Sequence, residues 1–162
     1  YPLPEAQLDR FFFKLQVDFP GLADLRTILA RTTGGSTPSV APVCDGPTLL
    51  AMGRLARDVI IKQEVVDYAI RLVLATHPEI DGAPASTTRY VRYGSSPRGA
   101  QALLLGAKIR ALLHGRANAS HDDIAAIAAE SLRHRVILNF EGEAEGVSTD
   151  RIVEQIVEAV RR

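Results

Sequence analysis

Hydrophobic positions along most of this 162-residue chain recur every three or four residues, the period of a helix that buries one face. Leu22, Leu25, Ile28 and Leu29 make a short stripe of this kind. Leu49, Met52, Leu55, Ala56 and Val59 make a second, and Val65, Val66, Ala69, Ile70 and Val73 a third. "PRGAQALLLGAKIRALLH" sets Ala100, Leu103, Leu104, Ala107, Ala111 and His114 on one face and Arg98 on the far side. Ile124, Ile127, Ala128, Ser131 and Leu132 continue the pattern, and Ile152, Val153, Ile156, Val157 and Val160 complete it. Ser96 followed by Pro97 is a start signal, Gly115 a stop, and Ser120 with Asp123 three residues on approaches a capping box. The pattern predicts five or six amphipathic helices, hence a mainly α chain built as a helical bundle.

The N-terminus departs from this period. "PEAQLDRF", with Leu8, Phe11 and Phe12, suits a short helix. "FKLQVDF" then alternates, Phe13, Leu15, Val17 and Phe19 against Lys14, Gln16 and Asp18, which predicts a half-buried strand ended by Pro20-Gly21. A solitary strand needs a sheet, so this one is expected to belong to a sheet whose other members lie elsewhere. Residues 32–47 read as a long loop rich in Gly, Pro, Ser and Thr, and "HPEIDGAPASTTRYVRYGSS" as a second connection with a short extended segment in "TTRYVRY".

Composition narrows the function classes. Hydrophobic residues make up 46% and charged residues 23%, and 19 basic residues balance 19 acidic ones. Zero net charge argues against a general nucleic-acid binder, although Arg89, Arg92, Arg110 and Arg116 offer a basic group for one. The single cysteine, Cys44, excludes an internal disulfide and fits a reducing, cytoplasmic setting. No apolar run approaches the ~20 residues that span a bilayer, and "YPLPEAQ" carries neither a leader pattern nor an initiator methionine, so the chain is expected to be a piece of something longer. His77, His114, His121 and His134 lack metal-ligand spacing. Cys44 has no base marked near it, "GSSPR" is not a nucleophile elbow, and "TTGGST" has no lysine to make a phosphate loop.

Charge is unevenly placed. Between Gly82 and Ser120 there is no Asp or Glu, yet Arg89, Arg92, Arg98, Lys108, Arg110 and Arg116 all fall there. One reading is a solvated face paired within the fold; the other is an anion site or a docking surface for an acidic neighbour. Arg98 stands at a helix entrance, where free amides and the positive dipole end already favour an anion. Arg10 raises the same question, with a salt bridge to Glu5 or Asp9 as its plain alternative.

Two motifs taken together resemble a known family. "YPLPEAQLDRFFFKLQVDFP" is similar to the part of MoxR-family AAA+ ATPases that follows the sensor-1 strand, and "GSSPRGAQALLLGAKIRALLHGR" with "SHDDI" and "LRHRVILNFEGEAEGVSTDRIVEQIVEAV" to that family's C-terminal helical lid. The resemblance implies a division into residues 1–20, the end of the AAA+ core with its arginine-finger helix and last strand, and residues 21–162, an α-helical lid. It implies that Arg98, presented by Pro97, is the sensor-2 arginine reaching the phosphates of ATP in the same subunit. It implies that Arg10 is an arginine finger acting on a neighbouring subunit of a hexameric ring. ATP and Mg²⁺ are implied for the full-length parent and none for this chain alone, which is expected not to hydrolyse ATP unaided. Chaperone-like remodelling of client proteins and von Willebrand factor A domain partners come with the same resemblance. The rival class is a helical protein-interaction module without nucleotide chemistry.

Overall fold

The computed structural model describes residues 3–35 and 39–161. The chain divides into two compact units, one made of Tyr1–Lys14 with Arg54–Arg162, the other of Leu15–Gly53. In chain order the helices are α1 (Glu5–Leu8), α2 (Leu22–Thr32), α3 (Gly46–Asp58), α4 (Gln63–Leu74), α5 (Ala85–Tyr90), α6 (Pro97–Leu113), α7 (His121–Ala126), α8 (Ala128–Leu132), α9 (Phe140–Ala144) and α10 (Thr149–Val160). Four very short strands join them: β1 (Ile60–Ile61), β2 (Val91–Tyr93), β3 (Asn118–Ala119) and β4 (Ile137–Leu138). The mainly α bundle expected from the periodicity is what forms.

The larger unit is a helical bundle around one apolar core. Tyr68 and Leu72 of α4, Leu103 and Ala107 of α6, Ile124 of α7, Leu132 of α8, and Ile152 and Ile156 of α10 meet there, each at most 2% exposed. Burying each large aliphatic side chain stabilises the fold by about 1.5–3 kcal/mol relative to leaving it in water. The strands act as clips. β1 pairs in parallel with β3, and β2 pairs antiparallel with β4 through Val91 opposite Leu138 and Tyr93 opposite Ile137. The extended segment expected in "TTRYVRY" is confined to Val91–Tyr93, and the residues before it close a turn of helix.

The smaller unit holds α2 and the start of α3, and none of its described residues is buried. Here the sequence expectation of a strand over 13–19 is corrected: residues 13–20 enter no ladder. A β-strand is held by the ladder it makes with a neighbour, and none of the described strands pairs with this segment. Leu15, Val17 and Phe19 stay 68%, 90% and 86% exposed.

α6 begins as its sequence says. Ser96 is the N-cap, its hydroxyl accepting from the Arg98 amide at 3.1 Å, and Pro97 takes the first helical position. Gly115, at φ 69°, terminates the helix in a conformation few other residues adopt. Its buried face is shifted from the expected stripe and runs through Gly99, Ala102, Leu103, Gly106, Ala107 and Ala111, while His114 points to solvent. The cause is close packing against α8 and its approach: Leu132 and Ile127 occupy the space that side chains at Gly99 and Gly106 would need. The capping box at Ser120 and Asp123 forms in full.

Candidate functional site

The entrance of α6 is a rigid platform. Ser95 is fully buried, its amide donates to the Thr76 hydroxyl at 2.8 Å, and its carbonyl accepts from His77 Nε2 at 3.0 Å. Gly94 sits against Thr76 and the His77 ring so closely that a Cβ there would fall within 2.7 Å of both. These contacts fix the "GSSPR" turn, and with it the direction in which Arg98 leaves the helix.

Arg98 is exposed, as its place opposite the core predicts. It is not folded inward, but it is paired with a carboxylate of its own compact unit. Its Nη1 lies 3.3 Å from Asp9 Oδ2, a residue of the N-terminal segment. The helix-end amides contribute less than expected, because Ser96 already takes them: its hydroxyl accepts from the Arg98 amide and its carbonyl from the Gly99 amide. The guanidinium, not the helix end, is the group available to an anion.

Asp9 is the centre of the arrangement. The Ser96 hydroxyl donates to it, 2.9 Å and 2.8 Å from its two oxygens; Arg98 approaches one oxygen, and Arg135 Nε donates to the other at 3.1 Å. Burial works to raise its pKa, but the hydrogen bonds from Ser96 and Arg98 and the charge of Arg135 win and hold the carboxyl below the usual aspartate value.

Arg135 is the residue that the sequence did not assign. Its side chain is 2% exposed, and it donates to the carbonyls of Asp9 at 3.0 Å, Phe11 at 2.6 Å, Phe12 at 3.3 Å and Ser131. Its neighbours complete a clamp: His134 Nε2 donates to the Phe11 carbonyl at 2.9 Å, Arg133 Nη1 to the Lys14 carbonyl at 3.0 Å, and the Lys14 amide to the Glu130 carbonyl at 2.9 Å. "LRHR" thus grips the main chain of residues 9–14. The available signal was an arginine set between Leu132 and Val136, two core residues, where a charge needs saturation by acceptors.

Arg10 is held in place by this clamp while its own side chain is exposed, and it forms no ion pair among the described residues. The expected alternative, a bridge to Glu5 or Asp9, does not form, because Asp9 is already occupied by Ser96, Arg98 and Arg135. A pocket of about 190 Å³ opens beside Asp9, lined among others by Glu5, Gly94, Ser96 and Arg135.

Much of the rest of the acid-free basic stretch is paired within the fold. Arg89 bonds Glu141 at 2.6 Å and Glu145 at 2.8 Å, and Arg110 and Arg116 converge on Asp123 at 2.8 and 2.6 Å. Lys108 donates to the Arg57 carbonyl at 2.7 Å, and Arg92 stacks over the Tyr93 ring at 4.9 Å. The acids that return after residue 120 neutralise most of that stretch within the fold. Among the described residues no cluster of His, Cys, Asp or Glu suits a metal ion, and no helix is long and apolar enough to cross a membrane.

Comparison with known proteins finds relatives in both sequence and fold. Residues 84–156 match the family model of the AAA lid domain. The chain is 30% identical over 160 residues to Chaperone MoxR1 of Mycobacterium tuberculosis, covering 99% of this chain and 42% of that protein. It is 34% identical over 164 residues to the uncharacterized protein YeaC of Bacillus subtilis, with 99% and 48% covered. A crystal structure of a candidate ATPase from Cytophaga hutchinsonii superposes with a TM-score of 0.89 at 32% identity, over 98% of this chain and 48% of that one. The chain therefore spans about half the length of the relatives it matches. Residues 84–156 thus match an AAA lid domain, and over nearly its whole length the chain is similar in sequence and fold to about half of a MoxR-type protein.

Proposed function

We propose that the chain works as the C-terminal portion of a MoxR-type AAA+ ATPase, residues 1–20 ending the nucleotide-binding core and residues 21–162 forming its lid. Arg98 contacts the phosphates of ATP bound in the same subunit, and Arg10 reaches the site of a neighbouring subunit in a ring. The observation that carries this is the contrast between the arginines near the α6 entrance: Arg135 is sealed, Arg98 is half exposed with one 3.3 Å ion-pair partner, and Arg10 is exposed with no ion pair among the described residues. Two exposed guanidiniums on a hydrogen-bonded scaffold suit phosphoryl transfer, which is catalysed mainly by positioned positive charge. The chain's described residues offer Mg²⁺ no donor set, so its ligands would come from the rest of the parent. Coupling of the lid to nucleotide, remodelling of client proteins in the cytoplasm and partners with von Willebrand factor A domains follow as parts of the same proposal.

The test uses the full-length protein. Arg98→Ala should lower ATP turnover by about 10²-fold or more while the melting temperature holds, since the side chain lies outside the core. Arg10→Ala should lower turnover about 10³-fold, and mixing it with subunits inactivated at their own phosphate loop should restore part of the activity. Wild-type turnover in Arg98→Ala, or no recovery in mixed rings, would refute the respective assignment. A second reading, a docking module, is favoured by the smaller unit, where Leu22, Leu49 and Leu50 are 63–68% exposed.

A further inference from the structure

We infer that Asp9 is a positioning residue that holds Arg98 in the absence of nucleotide and yields it to the triphosphate, Asp9 serving as an internal stand-in for the anion. This rests on the sensor-2 role proposed for Arg98. The two arginines on Asp9 are unequal. Arg135 is 2% exposed and anchored to the main-chain carbonyls of Asp9, Phe11 and Ser131, so it is a permanent counter-ion. Arg98 is 48% exposed and makes the longest of the contacts to Asp9, 3.3 Å against 2.8–3.1 Å for Ser96 and Arg135. Its departure leaves Asp9 bonded to Ser96 and Arg135 and strands no buried charge. A phosphate chain carries more charge than one carboxylate and accepts the guanidinium fork bidentately, so it wins the exchange. Asp9 is also the residue before Arg10. The group that loses the sensor arginine is thus covalently next to the proposed finger, and the exchange reports nucleotide binding to the element that acts on the neighbouring subunit.

The experiment measures the affinity of the full-length protein for a non-hydrolysable ATP analogue in wild type, Asp9→Asn, Arg98→Gln and the double variant. Asparagine keeps the size and the acceptor for Ser96 but removes the charge that competes for Arg98. Asp9→Asn should therefore bind the analogue about threefold to tenfold more tightly, because the binding-competent position of Arg98 is no longer taxed by a rival. That gain should vanish in the Arg98→Gln background. Unchanged or weaker binding by Asp9→Asn, or an equal gain in both backgrounds, overturns the inference. A lesion that merely loosened the segment would weaken binding, the opposite sign. If Arg98→Gln alone leaves affinity untouched, the sensor-2 reading itself fails, and this inference with it. A structure of the wild-type protein with the analogue bound gives a measurement independent of the variants' folding. Arg98 should have left Asp9, and an intact Arg98–Asp9 pair beside a bound analogue overturns the exchange.

Discussion

Asp123 has no exposed side-chain surface, yet it is charged, because Arg116 and Arg110 reach it at 2.6 and 2.8 Å and Ser120 adds its hydroxyl and amide at 2.8 and 2.9 Å. The Arg116 contact leads in lowering its pKa; burial opposes and is overcome. Asp123→Asn would leave two arginines facing a neutral amide and break the capping box, a loss of about 3 kcal/mol read as a drop in denaturant midpoint at neutral pH. A drop under about 0.5 kcal/mol would show that the arginines find water instead. His134 gives the pH dependence. Burial lowers its pKa below 6.5, with the charges of Arg135 and Lys14 adding to this and the Phe11 carbonyl opposing, and Nδ1 finds no partner among the described residues. With the folded value depressed, protonation favours the unfolded chain. Stability is therefore full above about pH 6.5 and falls as pH drops toward the folded value. Melting curves from about pH 7 to 5 should slope more steeply for wild type than for His134→Gln; parallel slopes would remove the residue from this role. At this scale the sequence showed Arg98 turned outward and Ser96 as its cap, since both follow from helix geometry. It hid Arg135 and Asp9, whose importance comes from a contact across more than 120 residues that no local pattern encodes.

Elements were legible where their signals are local. The starts at Ser96 and Ser120 and the stop at Gly115 depend on residues within one turn, and all three appear in the structure. The strand over 13–19 did not, because alternation shows that a segment can be extended, not that an edge exists to receive it. The buried face of α6 differs from the predicted stripe for a related reason: Gly99 and Gly106 are points of close approach, which a pattern of apolar side chains does not register. This yields a contrast. A methyl at Gly99 would collide with Ser95 Oγ, whose surroundings are fixed by Thr76 and His77, so Gly99→Ala should cost about 1–3 kcal/mol and displace the α6 entrance. At Gly106 the obstacles are the tip of Ile127 at 2.5 Å and the Phe13 ring at 3.1 Å, both able to swing. Gly106→Ala should be nearly neutral, the helix propensity gain of about 1 kcal/mol offsetting the crowding. Thermal melts of the two variants decide it, and equal losses would mean that Ser95 is no more rigid than Ile127.

For the whole molecule, the overall class followed from the 3.6-residue period, and the family from motifs spread along the chain. What no period could show is that residues 9–14 are gripped by "LRHR" much later in the sequence, in the same compact unit as the lid helices. At Phe11, Phe12 and Lys14 that grip falls on the carbonyls, not on the side chains; only at Asp9 does it take the carboxylate as well. Carbonyls are common to all residues, so the tether is indifferent to spelling at positions 11, 12 and 14 and strict about counting. Substitutions there can accumulate freely as far as the clamp is concerned, whereas gaining or losing a single residue between Asp9 and Lys14 would put the wrong carbonyl under each donor and swing Arg10 out of alignment.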